Sequence, residues 1–473
     1  RTIAKTLARH MVGREAEREE RFFDLMWRGV LSPASPALAN TGTDRGMPVS
    51  CSGQVVGDSV DSFYKGLHET ASLSKYGFGT SVDFSSIRPR GSKVSNGGKA
   101  NGAVPVIEDF FTCASKISQG GSRRGSVAAY LDIEHADWDE AIDGLESTPD
   151  GKNYGWVIKD SFVDKLKAGD KEANRRFSRA LYVKMVTGKG YLFFVDKANR
   201  ARPQMYKDLG LEIKASNLCV EVVLHSSDDL SFSCVLSSLN LLHWDEIKES
   251  SAVFDATVFL DCLVSEFLEK SEGIPGLENV REFTRLGRAI GLGVMGFSTY
   301  LQEKRIPYGS LEAQFLNQDI FEHLQKESLR ASEWLAQEYG EPEWCKGYGV
   351  RNTHRTAVAP TKSTSLLMGG VSESVFPDPG MAFDAGSSVG DLRRIPPAIY
   401  ELMKERGVYS KETLDDIVEH IGSVQHVDWL TEEEKAVFLT AFEIKQDIIL
   451  RYASQRQKYI CQGQSLNFYV AED

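Results

Sequence analysis

A chain of 473 residues that is 41% hydrophobic and 26% charged has globular composition, with length for two or three ordinary domains or one large α/β unit. Its net charge of −12 disfavours nucleic-acid polymers and anionic membranes, although a single phosphate pocket needs only a few local donors. No apolar run approaches the roughly 18 residues of a membrane span; the start, Arg1-Thr-Ile-Ala-Lys, lacks the apolar core and small-residue cleavage site of a signal peptide; and seven scattered cysteines without a CxxC argue for a reducing cytoplasm and against a zinc finger or a secreted disulfide scaffold.

Residues 1–30 carry Ala4, Leu7, Met11, Phe22, Phe23, Leu25 and Met26 at near-helical spacing. They predict an N-terminal helical segment, with residues 31–473 as a second unit. A breaker-rich stretch follows from Leu31 to Gly42, then Val49-Ser-Cys-Ser-Gly53. Residues 58–75 read as helix, with Phe63, Leu67 and Ala71 on one face. Residues 77–126 are rich in Gly, Ser and Arg, ending in Ser118-Gln-Gly-Gly-Ser-Arg-Arg-Gly125. They read either as surface loops or as an anion cradle of backbone N–H groups and guanidinia. Tyr191-Leu-Phe-Phe-Val195 predicts a buried strand, and Ala215 to Val223 alternates like a strand leaving a loop. Long helices are predicted over 252–270, 311–339 and 431–460, the last opened by a Thr431/Glu434 capping box. No linker separates these elements, and the alternation of strands and helices favours an α/β architecture.

Three segments can carry chemistry. Gly291-Leu-Gly-Val-Met-Gly296 matches GxGxxG, but it sits in an apolar run without a following acidic partner, so helix packing is the expected role. Pro360-Thr-Lys-Ser-Thr-Ser365 follows the apolar Thr356-Ala-Val-Ala359 and precedes Leu366-Leu-Met368. A strand entering a hydroxyl-rich helix start suits a phosphate, with an ordinary cap as the alternative. In Asn217-Leu-Cys219-Val-Glu221, residues two apart on an extended backbone would put an amide, a thiol and a carboxylate on one face.

Taken in order, these segments resemble the large subunit of ribonucleotide reductases over nearly the whole chain. The residues carrying the resemblance are Ser216 to Glu221, Pro360 to Ser365 leading to Gly370-Val-Ser-Glu-Ser374, Ser118 to Gly125, Ser35-Pro36, Ser50-Cys51, Gly53 with Asp58 to Ser62, and Ser465-Leu-Asn467. The resemblance implies a ten-stranded α/β barrel of two parallel five-stranded halves around a central finger loop. It implies a thiyl radical on Cys219 that takes hydrogen from C3′ of the ribose, Glu221 as base for the 3′-hydroxyl, and Asn217 holding ribose hydroxyls. Cys51 and Cys234 would be the reducing pair that ends as a disulfide. Ser35, Ser50, Gly77, Pro360, Thr361, Lys362, Ser363, Thr364 and Ser365 match substrate-binding positions. Asp58, Ser59, Arg88, Ser118, Gln119 and Arg123 match the specificity-effector site for ATP and dNTPs. Cys113, Cys262, Cys345 and Cys461 are expected to be structural, Cys461 being nearest a family active-site turn.

Also implied are a radical from a metal-containing small (β) subunit, with adenosylcobalamin as the alternative source, a thioredoxin- or glutaredoxin-type reductant, and a monomer or homodimer without metal ligands of its own. Both ends read as trimmed: the last barrel segment, with its tyrosine pair and cysteine tail, is expected to be absent. An N-terminal activity cone ahead of the barrel, with its on–off control, is not expected. A glycyl-radical barrel enzyme would need an Arg-Val-x-Gly-Tyr-type motif near the C-terminus, which the last hundred residues do not contain. A nucleotide-binding relative without catalysis predicts the loss of one of the five site residues, and all five are present.

Overall fold

The computed structural model describes residues 1–95, 97–119, 123–387 and 390–470. The strands are β1 (Leu31–Pro33), β2 (Cys51–Val55), β3 (Gly79–Asp83), β4 (Ser118–Gln119), β5 (Arg123–Arg124), β6 (Val127–Asp132), β7 (Asn153–Ile158), β8 (Tyr191–Phe194), β9 (Phe232–Ser233), β10 (Leu236–Asn240), β11 (Gly291–Met295), β12 (Phe383–Ser387) and β13 (Gly390–Arg394). Two helices, Thr2–Ala8 and Glu15–Trp27, precede them. Their apolar faces bury Ala4, Leu7, Phe22 and Leu25 against the helix Ala252–Lys270, so the predicted N-terminal periodicity describes a packed face. Among the described residues no helix is long and apolar enough to cross a membrane.

The first sheet has the order β8-β7-β6-β3-β2-β9. Strands β2, β3, β6, β7 and β8 are all parallel, and β9 runs antiparallel to β2. Helices cover one face, as parallel strands require. On β6, Val127, Ala129 and Leu131 pack outward against the helices Ala103–Lys116 and Trp138–Ser147, while Ala128 and Tyr130 face inward with Phe193, Ile213 and Val223. This period of two gives the sheet a dry outer layer and a second apolar face that receives the loop carrying Cys219. Gly155 is needed there: a Cβ at that position would sit 2.2 Å from the Tyr130 ring.

The second sheet has the order β1-β10-β11, with β10 and β11 parallel and β1 antiparallel. Single parallel bridges from Leu292 to Thr356 and from Val358 to Gln464 continue it. One half of the expected barrel is thus five regular parallel strands, and the other is two regular strands extended by two bridges. The extension is short because Pro360 has no N–H to continue the ladder. Strands β9 and β10 are successive pieces of one extended path, residues 232–240, that pairs with β2 in the first sheet and β11 in the second.

Three expectations are corrected. Gly291 to Met295 is strand β11 rather than a helix-packing segment, and Gly296 caps the helix that follows: a Cβ on Gly293 would lie 2.4 Å from the Ala357 carbonyl oxygen, so that glycine permits close strand approach. Residues 215–223 contain no strand; they form a turn-containing loop. The predicted helix over 431–460 is two helices, Glu432–Val437 and Gln446–Gln457. The Thr431/Glu434 box is present, but a second reciprocal pair, Thr440 N to Glu443 Oε2 at 2.8 Å and Glu443 N to Thr440 Oγ1 at 3.3 Å, interrupts the run. The helices Ala252–Lys270 and Leu311–Tyr339 match their predicted spans.

A buried ionic network locks the second sheet to its helices. Asp261, on the helix Ala252–Lys270, accepts from Arg288 Nε (2.9 Å), Arg351 Nε (3.0 Å) and Asn352 Nδ2 (2.9 Å). Arg288 adopts φ +44° immediately before β11. Burial acts to raise the Asp261 carboxyl, but Arg288 and Arg351 outweigh it and hold the group at about 2. Because the folded-state value is depressed, this stabilisation is full above the usual 3.8 and disappears as pH falls towards about 2. Asp261→Ala should lower stability by about 3–5 kcal/mol, because it strands two guanidinia in the interior. Thermal unfolding checks this; a midpoint at neutral pH unchanged from wild type would refute it.

Candidate active site

The loop bearing Asn217, Cys219 and Glu221 is a hairpin whose base is the bridge between Ile213 and His225. Its tip is closed by Asn217: the main-chain N–H donates to Val222 O (3.1 Å), the side-chain Oδ1 accepts from Val222 N (3.0 Å), and its carbonyl accepts from Val220 N (3.2 Å). Closure is tight enough to push Val220, a β-branched residue, to φ +77°, a region such side chains rarely adopt. Convergence of the three residues therefore comes from a turn and not from the predicted pleat.

Three neighbours hold this tip. The Tyr130 hydroxyl contacts Ser216 Oγ at 2.5 Å and donates to Asn217 O at 3.1 Å. Gly463 N donates to Glu221 O at 2.8 Å. Gln462 accepts from Val223 N at 3.4 Å and donates to Ile290 O at 2.9 Å. Gly463 has to be glycine: a Cβ there would sit 2.8 Å from Val223 Cγ2 and 3.1 Å from the carbonyl oxygens of Val220 and Glu221.

Cys219 and Glu221 line a cavity of about 250 Å³ together with Cys51, Ser50, Ser35 and the turn Pro360–Thr364. Cys234 lies behind Cys51: Cys234 N donates to Cys51 O at 2.9 Å, and Ser50 N to Cys234 O at 3.2 Å. The register Ser52↔Ser233 and Gly53↔Phe232 brings the two cysteines opposite each other at the end of the β2–β9 ladder. Burial raises the Cys234 thiol well above its usual range; its hydrogen bond to Cys51 and the charges of Cys51, Glu221 and Cys219 push the same way. Burial also raises the Glu221 carboxyl to about 7, against opposing contributions from its own backbone N–H and the Asn217 amide. Neither Glu221 Oε2 nor Asn217 Nδ2 makes a regular hydrogen bond inside the protein, and both are buried. Unpartnered polar atoms there are costly without a ligand. Tyr191 is raised to about 12, by burial first and then by the charges of Cys219 and Glu221. The arrangement combines a buried Cys234 thiol whose ionisation is disfavoured, a carboxyl that titrates near neutrality and the Asn217 amide beside that carboxyl.

The other predicted residues divide. In the Pro360–Ser365 turn, Thr361 adopts φ +52° as N-cap of the helix Lys362–Leu367, and its Oγ1 accepts from Ser374 N at 2.8 Å. Thr364 and Ser365 hydroxyls donate back to Thr361 O and Lys362 O, while Lys362 and Ser363 are exposed. Asn217, Cys234, Gly77 and Ser365 are not part of the cavity lining. Gly77, at φ +93°, instead leaves room for Gln119, whose Oε1 a Cβ would meet at 2.2 Å. Gln119 is buried and donates to Asn40 Oδ1 (3.0 Å) and Arg45 O (3.2 Å). Asp58 pairs with Arg88 through Arg88 N (3.1 Å) and Nε (2.6 Å), and Ser59 caps the helix Val60–Lys75. Ser118 and Arg123 belong to the β4–β5 ladder; Gly120–Ser122 lie outside the described residues.

Of the remaining cysteines, Cys262 and Cys345 are buried, and burial raises Cys345 to about 12. Cys461 differs: its sulfur accepts from Arg355 N (3.0 Å) and Thr356 N (3.1 Å). The sequence reading missed Ser237, which lines the cavity on β10 with its Oγ buried and without a partner. The signal was the Ser237-Ser238 pair three residues beyond Cys234.

Comparison with known proteins places this geometry. A family model described as ribonucleotide reductase, barrel domain, matches residues 49–176, 166–347 and 341–473, and one described as ribonucleotide reductase, all-alpha domain, matches residues 1–46. A putative ribonucleoside-diphosphate reductase large subunit of Frog virus 3 is 34% identical, over 98% of this chain and 85% of that protein. A vitamin B12-dependent ribonucleoside-diphosphate reductase of Thermoplasma acidophilum is 32% identical, over 96% of this chain and 61% of that protein. Among solved structures, the Actinobacillus ureae class Id ribonucleotide reductase alpha subunit superposes with a TM-score of 0.90 at 41% identity, covering 99% of this chain and 87% of that one.

Tyr130→Phe removes the hydroxyl that anchors the loop tip and should cost about 1 kcal/mol overall. Its signature is local. Hydrogen–deuterium exchange should speed up at Val220 and Val222 while the thermal midpoint moves little; unchanged protection there would rule the anchor out.

Proposed function

The chain belongs to the ribonucleotide reductase large-subunit family, and from that premise we propose that its Cys219 cavity is where the enzyme replaces a ribonucleotide's 2′-hydroxyl with hydrogen by thiyl-radical chemistry. The observation that carries this reading is the meeting of Cys219, Glu221 and Cys51 around one cavity, with Cys234 directly behind Cys51.

Each residue is assigned a step. The Cys219 thiyl takes the C3′ hydrogen and becomes a thiol again. Glu221, as carboxylate, accepts the 3′-hydroxyl proton, and the Asn217 amide holds the ribose hydroxyls. With a radical adjacent, the 2′-hydroxyl leaves as water. The Cys51 and Cys234 thiols supply the two hydrogens, one for that water and one for C2′, and are themselves oxidised to a disulfide. Glu221 gives the proton back to the 3′-oxygen, and Cys219 returns hydrogen to C3′ and is again a thiyl. Net, one C–OH and two thiols become one C–H, water and a disulfide. Hydrogen-atom transfer builds no charge, so a dry pocket does not hinder it, whereas the closed-shell departure of hydroxide would need solvation there.

Ser35, Ser50 and Pro360 to Ser365 are proposed to hold the substrate's phosphates and ribose through hydroxyl and backbone donors. Asp58, Ser59 and Arg88 are proposed as the effector site. Gln119, wedged against Asn40, Arg45 and Gly77, would join the Ser118–Arg123 loop to the barrel. Such coupling is reciprocal: substrate would alter effector affinity by the same factor.

One-electron oxidation of Cys219 must come from outside. Cys219 is part-exposed where Cys51 and Cys234 are buried, which fits delivery from another molecule. Similarity to the Actinobacillus ureae alpha subunit favours a metal-containing β subunit. The B12-dependent relative supports adenosylcobalamin as the second reading. Assays of CDP and CTP reduction, run with a β subunit and separately with adenosylcobalamin, decide between them; no deoxynucleotide under either condition would sink the proposal.

Cys219→Ser should abolish product while leaving nucleotide affinity intact, and Cys51→Ser or Cys234→Ser should block turnover with dithiothreitol. Full activity in any of these variants removes its assigned role. Because Glu221 must be ionised to act as base and is raised to about 7, kcat/KM should climb with pH through about 7 and level off above it. A flat profile from pH 6 to pH 8.5 in steady-state assays would remove Glu221 as the base.

A further inference from the structure

Ser32 on β1 and Ser238 on β10 stand directly opposite each other in the second sheet, in the antiparallel register Leu31↔Leu239, Ser32↔Ser238. Both line the Cys219 cavity, and neither belongs to the substrate-binding set of Ser35, Ser50 and Pro360 to Ser365.

Alternation along the strands sets which way they point. Leu31, Val235 and Leu239 pack into the core formed with the helix Ala252–Lys270, whereas Leu236 packs inward with Cys51, Cys234 and Val222. Ser32 and Ser238 share the inward side with Leu236, and Ser237 between them in sequence turns the opposite way. On the other flank of Ser238 the paired residue is Gly293. With a serine and a glycine as its lateral neighbours, the Ser238 hydroxyl is covered by no bulky side chain within the sheet. Ser32 is 1% and Ser238 4% exposed. Ser32 Oγ reaches only the carbonyl of its own neighbour Pro33, at 3.5 Å, and among the described residues Ser238 Oγ has no hydrogen-bond partner. Buried hydroxyls in this state are costly without a ligand.

Their level in the barrel indicates which group of a ligand they meet. Strands β10 and β11 and the segment 356–359 run parallel, with Ser238 beside Gly293 and, next to the Leu292↔Thr356 bridge, Gly293 level with Ala357. At about 3.3 Å per residue, the turn at Pro360 begins about 10 Å beyond this level and Cys234 lies about 13 Å before it. The serine pair is thus between the thiol end of the cavity and the hydroxyl-rich turn.

We propose that Ser32 and Ser238 bind the α-phosphate of the nucleotide substrate, one hydroxyl to each of two non-bridging oxygens. This rests on the reductase reading of the cavity and gives it two further substrate-binding residues. Directly opposed residues of an antiparallel pair hold their Cβ atoms about 4.5–5.5 Å apart, which lets two hydroxyls straddle a single phosphate. Neutral donors suit the position. A Lys or Arg in this part of the cavity would stabilise the Glu221 carboxylate and draw that group down from about 7. The α-phosphate is common to di- and triphosphates, so the assignment holds for either substrate.

The test titrates CDP, CTP and CMP into the full 473-residue chain, by calorimetry for the first two and by phosphorus NMR for CMP. Ser238→Ala should weaken CDP and CMP by the same factor, about tenfold or more, as for a lost hydrogen bond to a charged group. Ser32→Ala, on the other strand, should do the same, with circular dichroism and the thermal midpoint verifying the fold of each variant. In turnover assays KM for CDP should rise with kcat unchanged, because the α-phosphate contact is equal in ground and transition states. Equal CDP affinity in wild type and in the Ser32→Ala/Ser238→Ala double variant would overturn the inference and leave the reductase reading standing. Weakened CDP with unchanged CMP would place the pair on the terminal phosphate and overturn it equally. Failure of the wild-type chain to bind either CDP or CTP would overturn the reductase reading and this assignment with it.

Discussion

The site depends on one hydrogen-bonded turn. Asn217 uses its main-chain N–H and its side-chain oxygen on the same partner residue, Val222, and what lies between must fold into a tip. Val220 carries the strain of that closure in its positive φ, at a cost of about 1–3 kcal/mol. Bonds from Tyr130, Gly463 and Gln462 offset it from three directions. The same side-chain oxygen pins the Asn217 amide, whose NH₂ has no regular hydrogen bond beyond its interaction with the Glu221 carboxyl. One residue therefore both shapes the loop and, on the proposed mechanism, touches substrate.

A second constraint follows from how the two sheets meet. Residues 232–240 leave the first sheet and enter the second within a single extended path, and Cys234 sits at the changeover. A cysteine pair elsewhere in one sheet would be enclosed on both faces by packed side chains. At the changeover, Cys51 opens onto the cavity while Cys234 stays covered behind it. The Asp261 network, bonded to Arg288 before β11 and Arg351 ahead of Thr356, fixes the other wall.

Much of this was legible in the sequence, but unevenly. Periodic segments such as 252–270 and 311–339 matched their helices because a wide apolar face leaves few alternatives. The family segments led to Cys219, Glu221, Cys51 and the Pro360 turn, which do meet at one cavity. What failed were inferences from local pattern alone. Asn217, Cys219 and Glu221 alternate as in a strand, yet side-chain-to-backbone bonding from an Asn can replace pleated pairing with a turn, and alternation cannot register that. The glycines of 291–296 mark a strand pressed on Ala357, a long-range fact. The break near Thr440 was readable, since Thr440-x-x-Glu443 repeats the capping pattern that marked Thr431.

Burial gives the cavity its chemical character, and it acts on the ionisable groups unequally. It raises the Cys234 thiol well above its usual range and the Glu221 carboxyl to about 7. A dry site thus disfavours thiolate at Cys234 yet leaves the carboxyl close to balance between its two forms. Proton transfer to and from a group near the working pH is nearly isoenergetic, which is the condition for efficient acid–base work. Hydrogen-atom transfer at sulfur needs no charge stabilisation at all. The two kinds of step in the proposed mechanism therefore make compatible demands on one environment. Polar replacement of the apolar residues behind the loop, such as Val222 or Leu236, would admit water and return Glu221 towards the ordinary carboxylate range. As a weaker base it would then take the 3′-hydroxyl proton less readily, and the Cys51–Cys234 pair would be opened to solvent. Low polarity around the pair is on this account a functional requirement as much as a feature of packing.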